Sequence, residues 1–257
     1  RWKSHTVPAG YAGGAIWGSS GAVDLAQRLV FMATGNNYMV PQGVLDCLSA
    51  GGAPAGCMSP DNHFDSIVAF EMDSGRIRWG ARGLPSDVWS VACGLDVPGF
   101  QVGPWFPGVY DNCPNGNPFT AGPDWDFGQG PMLFGGAEGD NQGGNLVGAG
   151  AKSGIFWALR AHDGKPVWSR QVSPGGVTGG MQWGSATDGK RIFVTAANAG
   201  PTTNGGGRGA LPWTLKDGSV TRAGGWAALD ARKGEVLWTT PDPAGGRAEA
   251  AVSLAGG

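Results

Sequence analysis

The segment Ile67-Val-Ala-Phe-Glu-Met-Asp-Ser-Gly-Arg-Ile-Arg-Trp79 decides the fold. Apolar side chains alternate along both arms, an Asp-Ser-Gly turn sits between them, and a Trp closes the second arm. That pattern is a β-hairpin, a stronger reading than a helix over the same residues. It returns at Phe156-Trp-Ala-Leu-Arg-Ala-His-Asp-Gly-Lys-Pro-Val-Trp168 and at Trp226-Ala-Ala-Leu-Asp-Ala-Arg-Lys-Gly-Glu-Val-Leu-Trp238. A Trp recurring at one place in a repeated unit is expected to fill the same gap between neighbouring units. Arg1-Trp2 reads as the tail of a further copy.

Each hairpin follows another pair of strand-like stretches: 27–36, then 131–134 with 144–150, then 190–198. Four strands per unit, repeated along the chain, predict an all-β fold built from β-propeller blades. The units fall at about 13–79, 125–169 and 180–239, with 1–12 closing an earlier blade and 248–257 opening a later one. The segments 38–64, 80–122 and 199–224 are insertions, expected on one rim, where long loops of a repeat array carry function. Three blades cannot close a ring. The chain is therefore expected to be part of a longer propeller or to assemble with something else, and its start at Arg1 to reflect processing or truncation.

Composition agrees. Of 257 residues 49 are Gly, nearly three times the usual share of about 7%, as tight turns and close backbone approaches require. Twelve Trp and 41% apolar residues argue against a disordered Gly-rich chain. A net charge of −2 gives no electrostatic footprint for nucleic acid. No apolar run approaches the roughly 18 residues of a membrane span. Cys47, Cys57, Cys93 and Cys113 form no C-x-x-C and sit in Gly/Pro/Asn-rich loops. Of the three possible connectivities, the local pairs Cys47–Cys57 and Cys93–Cys113 are expected, with four free thiols as the alternative. Disulfides imply an oxidising compartment, periplasmic or secreted.

One loop stands apart. Gly122-Pro-Asp-Trp-Asp-Phe-Gly128 sets Asp126 between two aromatic side chains, which predicts a partly desolvated carboxylate suited to take a proton. Together with Gly14-Ala-Ile-Trp17-Gly, Ala33-Thr-Gly-Asn36 and Ala151-Lys152-Ser-Gly154, in that order and spacing, it resembles the quinoprotein dehydrogenases, propellers that carry pyrroloquinoline quinone (PQQ). The strings Trp17-Gly-Ser-Ser, Ala33-Thr-Gly-Asn-Asn-Tyr, Pro60-Asp-Asn-His-Phe-Asp-Ser-Ile-Val-Ala, Asp126-Phe-Gly-Gln-Gly-Pro-Met-Leu-Phe and Gly179-Gly-Met-Gln-Trp-Gly-Ser-Ala look most like the polyvinyl alcohol dehydrogenase branch.

The resemblance implies an eight-bladed ring, of which this chain covers about three blades, and the oxidation of an alcohol, possible substrates including polyvinyl alcohol and other secondary alcohols. Trp17 would be the floor under the quinone, Asn36 a Ca²⁺ ligand, Asp126 the general base, and Lys152 the partner of the quinone oxygens. Gln182 and Trp183 sit where the family has a cofactor-contacting Asn-Trp pair. The family's glutamate metal ligand would lie upstream of residue 1. Gly128 stands where lanthanide-using members carry a second Asp, which implies the Ca²⁺ type. Electrons would pass to a cytochrome c.

Taken singly, these residues have plainer readings: Trp17 as core between blades, Asn36 as a turn residue, Asp126 as an Asx-turn acceptor, Lys152 as an exposed turn lysine. Two other functions stay open. A non-catalytic PQQ-repeat propeller would be a protein-interaction scaffold, and the loop aromatics Trp89, Trp105, Phe106 and Trp213 would suit a carbohydrate-binding or hydrolytic propeller.

Overall fold

A computed structural model of the chain describes residues 1–17, 20–89, 122–135, 145–198 and 210–255. Three four-stranded antiparallel sheets dominate. The first runs Ala22–Asp24, Leu29–Ala33, Ser66–Glu71, Ile77–Arg82; the second Met132–Phe134, Leu146–Gly150, Ile155–Arg160, Pro166–Gln171; the third Ala186–Thr187, Arg191–Ala196, Gly225–Asp230, Val236–Pro241. In each, strands neighbour one another in chain order, the up-and-down meander of a propeller blade. The fold is all-β, a partial propeller whose sheets do not close.

The three hairpins are built alike down to their irregularities. Each turn glycine lies in the left-handed region: Gly75 at φ 70°, Gly164 at 71°, Gly234 at 67°. Each hairpin carries a register shift just after an Ala opposite the Trp, at Ala69↔Trp79, Ala158↔Trp168 and Ala228↔Trp238. A small residue facing the indole leaves the ring free to reach the next unit. Trp2 Nε1 donates to Met72 O at 2.7 Å, Trp79 Nε1 to Ala161 O at 3.1 Å, and Trp168 Nε1 to Ala231 O at 3.2 Å. In each case the ring lies against the turn glycine of that next unit, Trp2 on Gly75, Trp79 on Gly164 and Trp168 on Gly234. A Cβ on Gly164 would stand 2.5 Å from the Trp79 ring, and one on Gly234 2.4 Å from Trp168. The repeated Trp thus fastens one unit to the next. Trp238 meets no such turn among the described residues and is 39% exposed.

The core lies between sheets. Leu29, Phe31, Ile67 and Ala69 of the first sheet pack on Val147, Ala149 and Leu159 of the second. The opposite face of the second, with Phe134, Phe156 and Ala158, packs on Ile192, Val194, Ala227 and Leu229 of the third. Alternation along each strand, read from the sequence, supplies both faces. Replacing Gly164 with Ala should break this fastening. The left-handed backbone and the contact with Trp79 together predict a loss of roughly 1–3 kcal/mol, read as a lower denaturation midpoint with unchanged slope.

Between Asn37–Met39 and the first hairpin, the segment expected as an insertion loop folds into two short helices, Gln42–Ser49 and Pro54–Cys57. Val44, Leu45 and Leu48 turn one face onto Val40, Met58, Phe64 and Val88. The Cys47–Cys57 disulfide ties the pair together. Cys93 and Cys113 lie outside the described residues, as do most of 80–122 and part of 199–224. No strand forms in 1–11 or 248–255. Trp213, counted above as a loop aromatic, is buried and donates to Val172 O at 2.9 Å, so it offers no face to a sugar.

Candidate functional site

Asp126 sits where three stretches meet. The first is the continuation of strand Leu29–Ala33. Ile16 bridges Thr34, Gly35 N–H donates to Ala15 O, and Gly14 N–H donates to Asn36 O, so the stretch carrying Trp17 runs antiparallel beside the one carrying Asn36. Gly35 is required where Asp126 and Trp17 approach: a Cβ there would lie 2.7 Å from Asp126 Oδ1 and 3.0 Å from Trp17 Nε1. The second is the loop 122–127. It is anchored by Phe127 N–H to Thr34 O and by Asp126 O, which accepts Lys152 N–H at 2.9 Å. The third is the turn 151–154 between two strands of the second sheet, which carries Lys152.

The side chains interlock. Asp126 Oδ1 accepts the Asn36 backbone N–H at 2.6 Å, and Oδ2 accepts Lys152 Nζ at 2.5 Å. Lys152 Nζ also donates to Asp124 Oδ2 at 3.0 Å and lies 4.7 Å from the centre of the Trp17 ring. Asp126, Asn36 and Lys152 are each less than a tenth exposed. Asp126 is therefore no simple Asx-turn acceptor and Lys152 no exposed lysine. Burial opposes the Lys152 charge, but Asp126 and Asp124 outweigh it and hold the ammonium protonated.

The Asn36 amide donates through Nδ2 to Asn37 O at 2.8 Å and to Trp89 O at 2.5 Å. Its Oδ1 accepts no hydrogen bond among the described residues, and remains the atom available to a cation. Gln182 and Trp183 arrive from the approach to the third sheet. Gln182 pairs in parallel with Gly128, and its Nε2 donates to Gly179 O at 3.1 Å. Trp183, at φ 72°, sets its ring edge-on to Trp17 with centroids 6.0 Å apart. All six residues singled out from the sequence thus gather in one place.

Three further carboxyl groups belong to the same cluster, and sequence reasoning gave them no role. Asp124, two residues before Asp126 in the same loop and left-handed at φ 57°, meets it at the shared Lys152 Nζ, and is pushed up to about 8 by burial and then by Asp126, against the pull of Lys152. Asp87 accepts the backbone N–H groups of Asp124 at 3.3 Å and Trp125 at 2.8 Å, and burial raises it to about 6. Asp65 is completely buried, and neither of its oxygens has a hydrogen-bond donor among the described residues. Asp124 was legible in the quoted loop as a second acid at i−2; Asp65 and Asp87 had no signal beyond an Asp near a strand end. Tyr38, half-exposed nearby, is raised by burial and then by the Asp126 and Asp124 charges.

The chain matches no protein-family model. It is 29% identical over 231 residues to a polyvinylalcohol dehydrogenase of Sphingopyxis sp. (strain 113P3), covering 89% of this chain and 27% of that protein. To a polyvinylalcohol dehydrogenase of Pseudomonas sp. it is 28% identical over 211 residues, 82% of this chain and 26% of that one. Among solved structures it is similar to a europium-containing methanol dehydrogenase at TM-score 0.49 and 15% identity, over 90% of this chain and 40% of that one. No described helix is long and apolar enough to cross a membrane. The chain is similar to these two polyvinylalcohol dehydrogenases over a stretch that makes up about a quarter of their length.

Proposed function

We propose that this chain forms the catalytic part of a PQQ-dependent alcohol dehydrogenase with Asp126 as general base. The observation that carries the reading is the convergence of Trp17, Asn36, Asp126 and Lys152, from separate parts of the chain, on one buried carboxylate. The donor set suits the cofactor. Trp17 offers a flat indole face for a flat ring, and Lys152 offers a fixed cation for quinone oxygens. Gln182 and Trp183 border the same space. Asn36 Oδ1 is a neutral oxygen of the kind that hard cations take. No set of three or more His, Cys, Asp or Glu ligands exists among the described residues. Ca²⁺ would therefore complete its shell with oxygens of the cofactor and of the rest of the protein.

When bound, the quinone supplies the hydride acceptor and Ca²⁺ a Lewis acid beside it. The chain's own residues do the rest. Asp126, held between the Asn36 N–H and Lys152, takes the hydroxyl proton of the alcohol at a carboxylate oxygen. Lys152 holds that carboxylate in place and keeps a positive charge where negative charge develops. Burial keeps bulk water from the base, with Trp17 beside it across Gly35. The electrons leave to a cytochrome c, and the Cys47–Cys57 disulfide supports a periplasmic or secreted setting. The substrate is an alcohol, with polyvinyl alcohol the candidate carried by the named relatives.

The test is direct. The full protein, reconstituted with PQQ and Ca²⁺, should reduce an artificial electron acceptor when given a secondary alcohol, and omission of either component should abolish the rate. A protein that binds PQQ but reduces no acceptor with any alcohol would return the chain to the scaffold reading.

A further inference from the structure

Asp65 has no place in the chemistry above, yet it is the most conspicuous group in the cluster. It follows Phe64 at the entrance to strand Ser66–Glu71 with φ 40°, a left-handed backbone that a non-glycine residue adopts at a cost. Its backbone is fully engaged, with N–H donating to Gly35 O at 3.0 Å and O accepting Gly83 N–H at 2.7 Å. Its carboxyl group is not. Both oxygens are sealed from solvent without a donor among the described residues.

The carboxyl group that acts on it first is Asp87, an acceptor already turned toward the N–H groups of Asp124 and Trp125. Two ionised carboxylates cannot bond to each other. Beyond Asp87, the charged groups felt at Asp65 are the Asp126 and Asp124 carboxylates, and among the described residues the cation paired with those two is Lys152. Four carboxyl groups share one ammonium, so burying all of them ionised would leave several uncompensated charges. One proton removes the first difficulty, turning two facing acceptors into a donor and an acceptor, and lessens the second.

We propose that Asp65 is a neutral carboxylic acid at neutral pH, that its O–H donates to Asp87, and that this pair is the support that positions the Asp124–Asp126 segment. The proton belongs on Asp65 rather than Asp87, because Asp87 already accepts two backbone N–H groups that favour its ionised form. Asp87 in turn is wedged into the loop. A Cβ on Gly122 would lie 2.3 Å from its Oδ1, and its backbone O accepts Asn37 N–H at 3.1 Å. The support therefore reaches from Asp65 through Asp87 to both sides of the site: the strand end bearing Asn36 and the loop bearing Asp126. Burial and the like charges around Asp65 push its carboxyl well above the usual carboxylate range, in agreement.

The positioning half of this proposal rests on the dehydrogenase reading; the protonation half does not. In the full protein, Asp65→Asn keeps shape and a donor, whereas Asp65→Leu keeps only bulk. Infrared spectra of wild type minus Asp65→Asn at neutral pH should show the carbonyl band of a protonated carboxylic acid, shifted in heavy water. The stability difference between the two proteins should also depend on pH in a fixed sense. The native wild type keeps a proton that the unfolded chain loses above about pH 4, so its stability falls as pH rises, and Asp65→Asn escapes that share of the fall.

With PQQ and Ca²⁺ bound, Asp65→Asn should turn over close to the wild-type rate. Asp65→Leu should lose roughly tenfold or more in kcat, the scale on which outer supporting partners act. Absence of the protonated-carboxyl band, or an Asp65→Asn variant that fails to fold or loses as much rate as Asp65→Leu, overturns the proposal. If the wild type reduces no acceptor at all, the dehydrogenase reading fails, and the infrared band and the pH slope still decide whether the proton is there.

Discussion

Asp126→Asn in the full protein, reconstituted with PQQ and Ca²⁺, should bind the quinone and yet turn over roughly 10²–10⁴ times more slowly than wild type. The asparagine has the same outline. Its Oδ1 can still accept the Asn36 N–H that now meets Asp126 at 2.6 Å, so the loop keeps its seat and Trp17 its place. What disappears is the carboxylate oxygen able to take a proton, and with it one of the two acceptors of Lys152 Nζ, which keeps Asp124. The factor corresponds to about 3–5 kcal/mol of transition-state stabilisation. The two measurements are cofactor binding by absorbance and acceptor reduction under saturating alcohol.

Asp124 makes a necessary control, because it shares Lys152 at 3.0 Å. Raised to about 8, it carries a proton for much of the time at neutral pH and makes a poorer acceptor in the resting site. Asp124→Asn should therefore lose much less rate than Asp126→Asn. The reverse order would make Asp124 the base, and an unimpaired Asp126→Asn would remove the assignment altogether.

The architecture was legible because its signals are local and repeated. An Asp-Gly type turn between alternating arms is visible in thirteen residues, and its three copies end in the same Trp. The docking of Trp79 on Gly164 and of Trp168 on Gly234 follows from that repetition. Trp17, Asn36, Asp126 and Lys152 are another matter. No spacing rule brings residues so far apart together; their order was readable only through resemblance to a family. Asp65 and Asp87 escaped because an aspartate beside a strand reads as a turn acceptor until packing has taken the water away. The helix Gln42–Ser49 escaped for a related reason. It is short and uncapped by any side chain, and its formation depends on the apolar bed of Val40, Met58, Phe64 and Val88 and on the Cys47–Cys57 bond. Trp213 shows the converse: in sequence it looks free, and tertiary contacts bury it.

Lys152→Met should be the most destabilising single change in the site. Methionine fills much of the same volume, so little of the effect would come from a cavity. The loss is the cation that, among the described residues, answers Asp126 at 2.5 Å and Asp124 at 3.0 Å, with the lysine side chain only 8% exposed. Removing one member of a buried ion pair costs about 3–5 kcal/mol, mostly the penalty of the charge left behind. The pH dependence tells this apart from ordinary loss of packing. Asp124 is raised to about 8 even with the lysine present, so the native state holds protons that the unfolded chain releases near pH 4. Without Lys152 that imbalance grows. The deficit of the variant should be small in acid and should widen as pH rises through about 8. Denaturation midpoints of wild type and variant across that range measure it. Lys152→Arg, which keeps the charge, should recover most of the loss in alkali. A Met variant whose deficit is the same at every pH would mean that the lysine acts by bulk alone, and the ionic account of the site would fail with it.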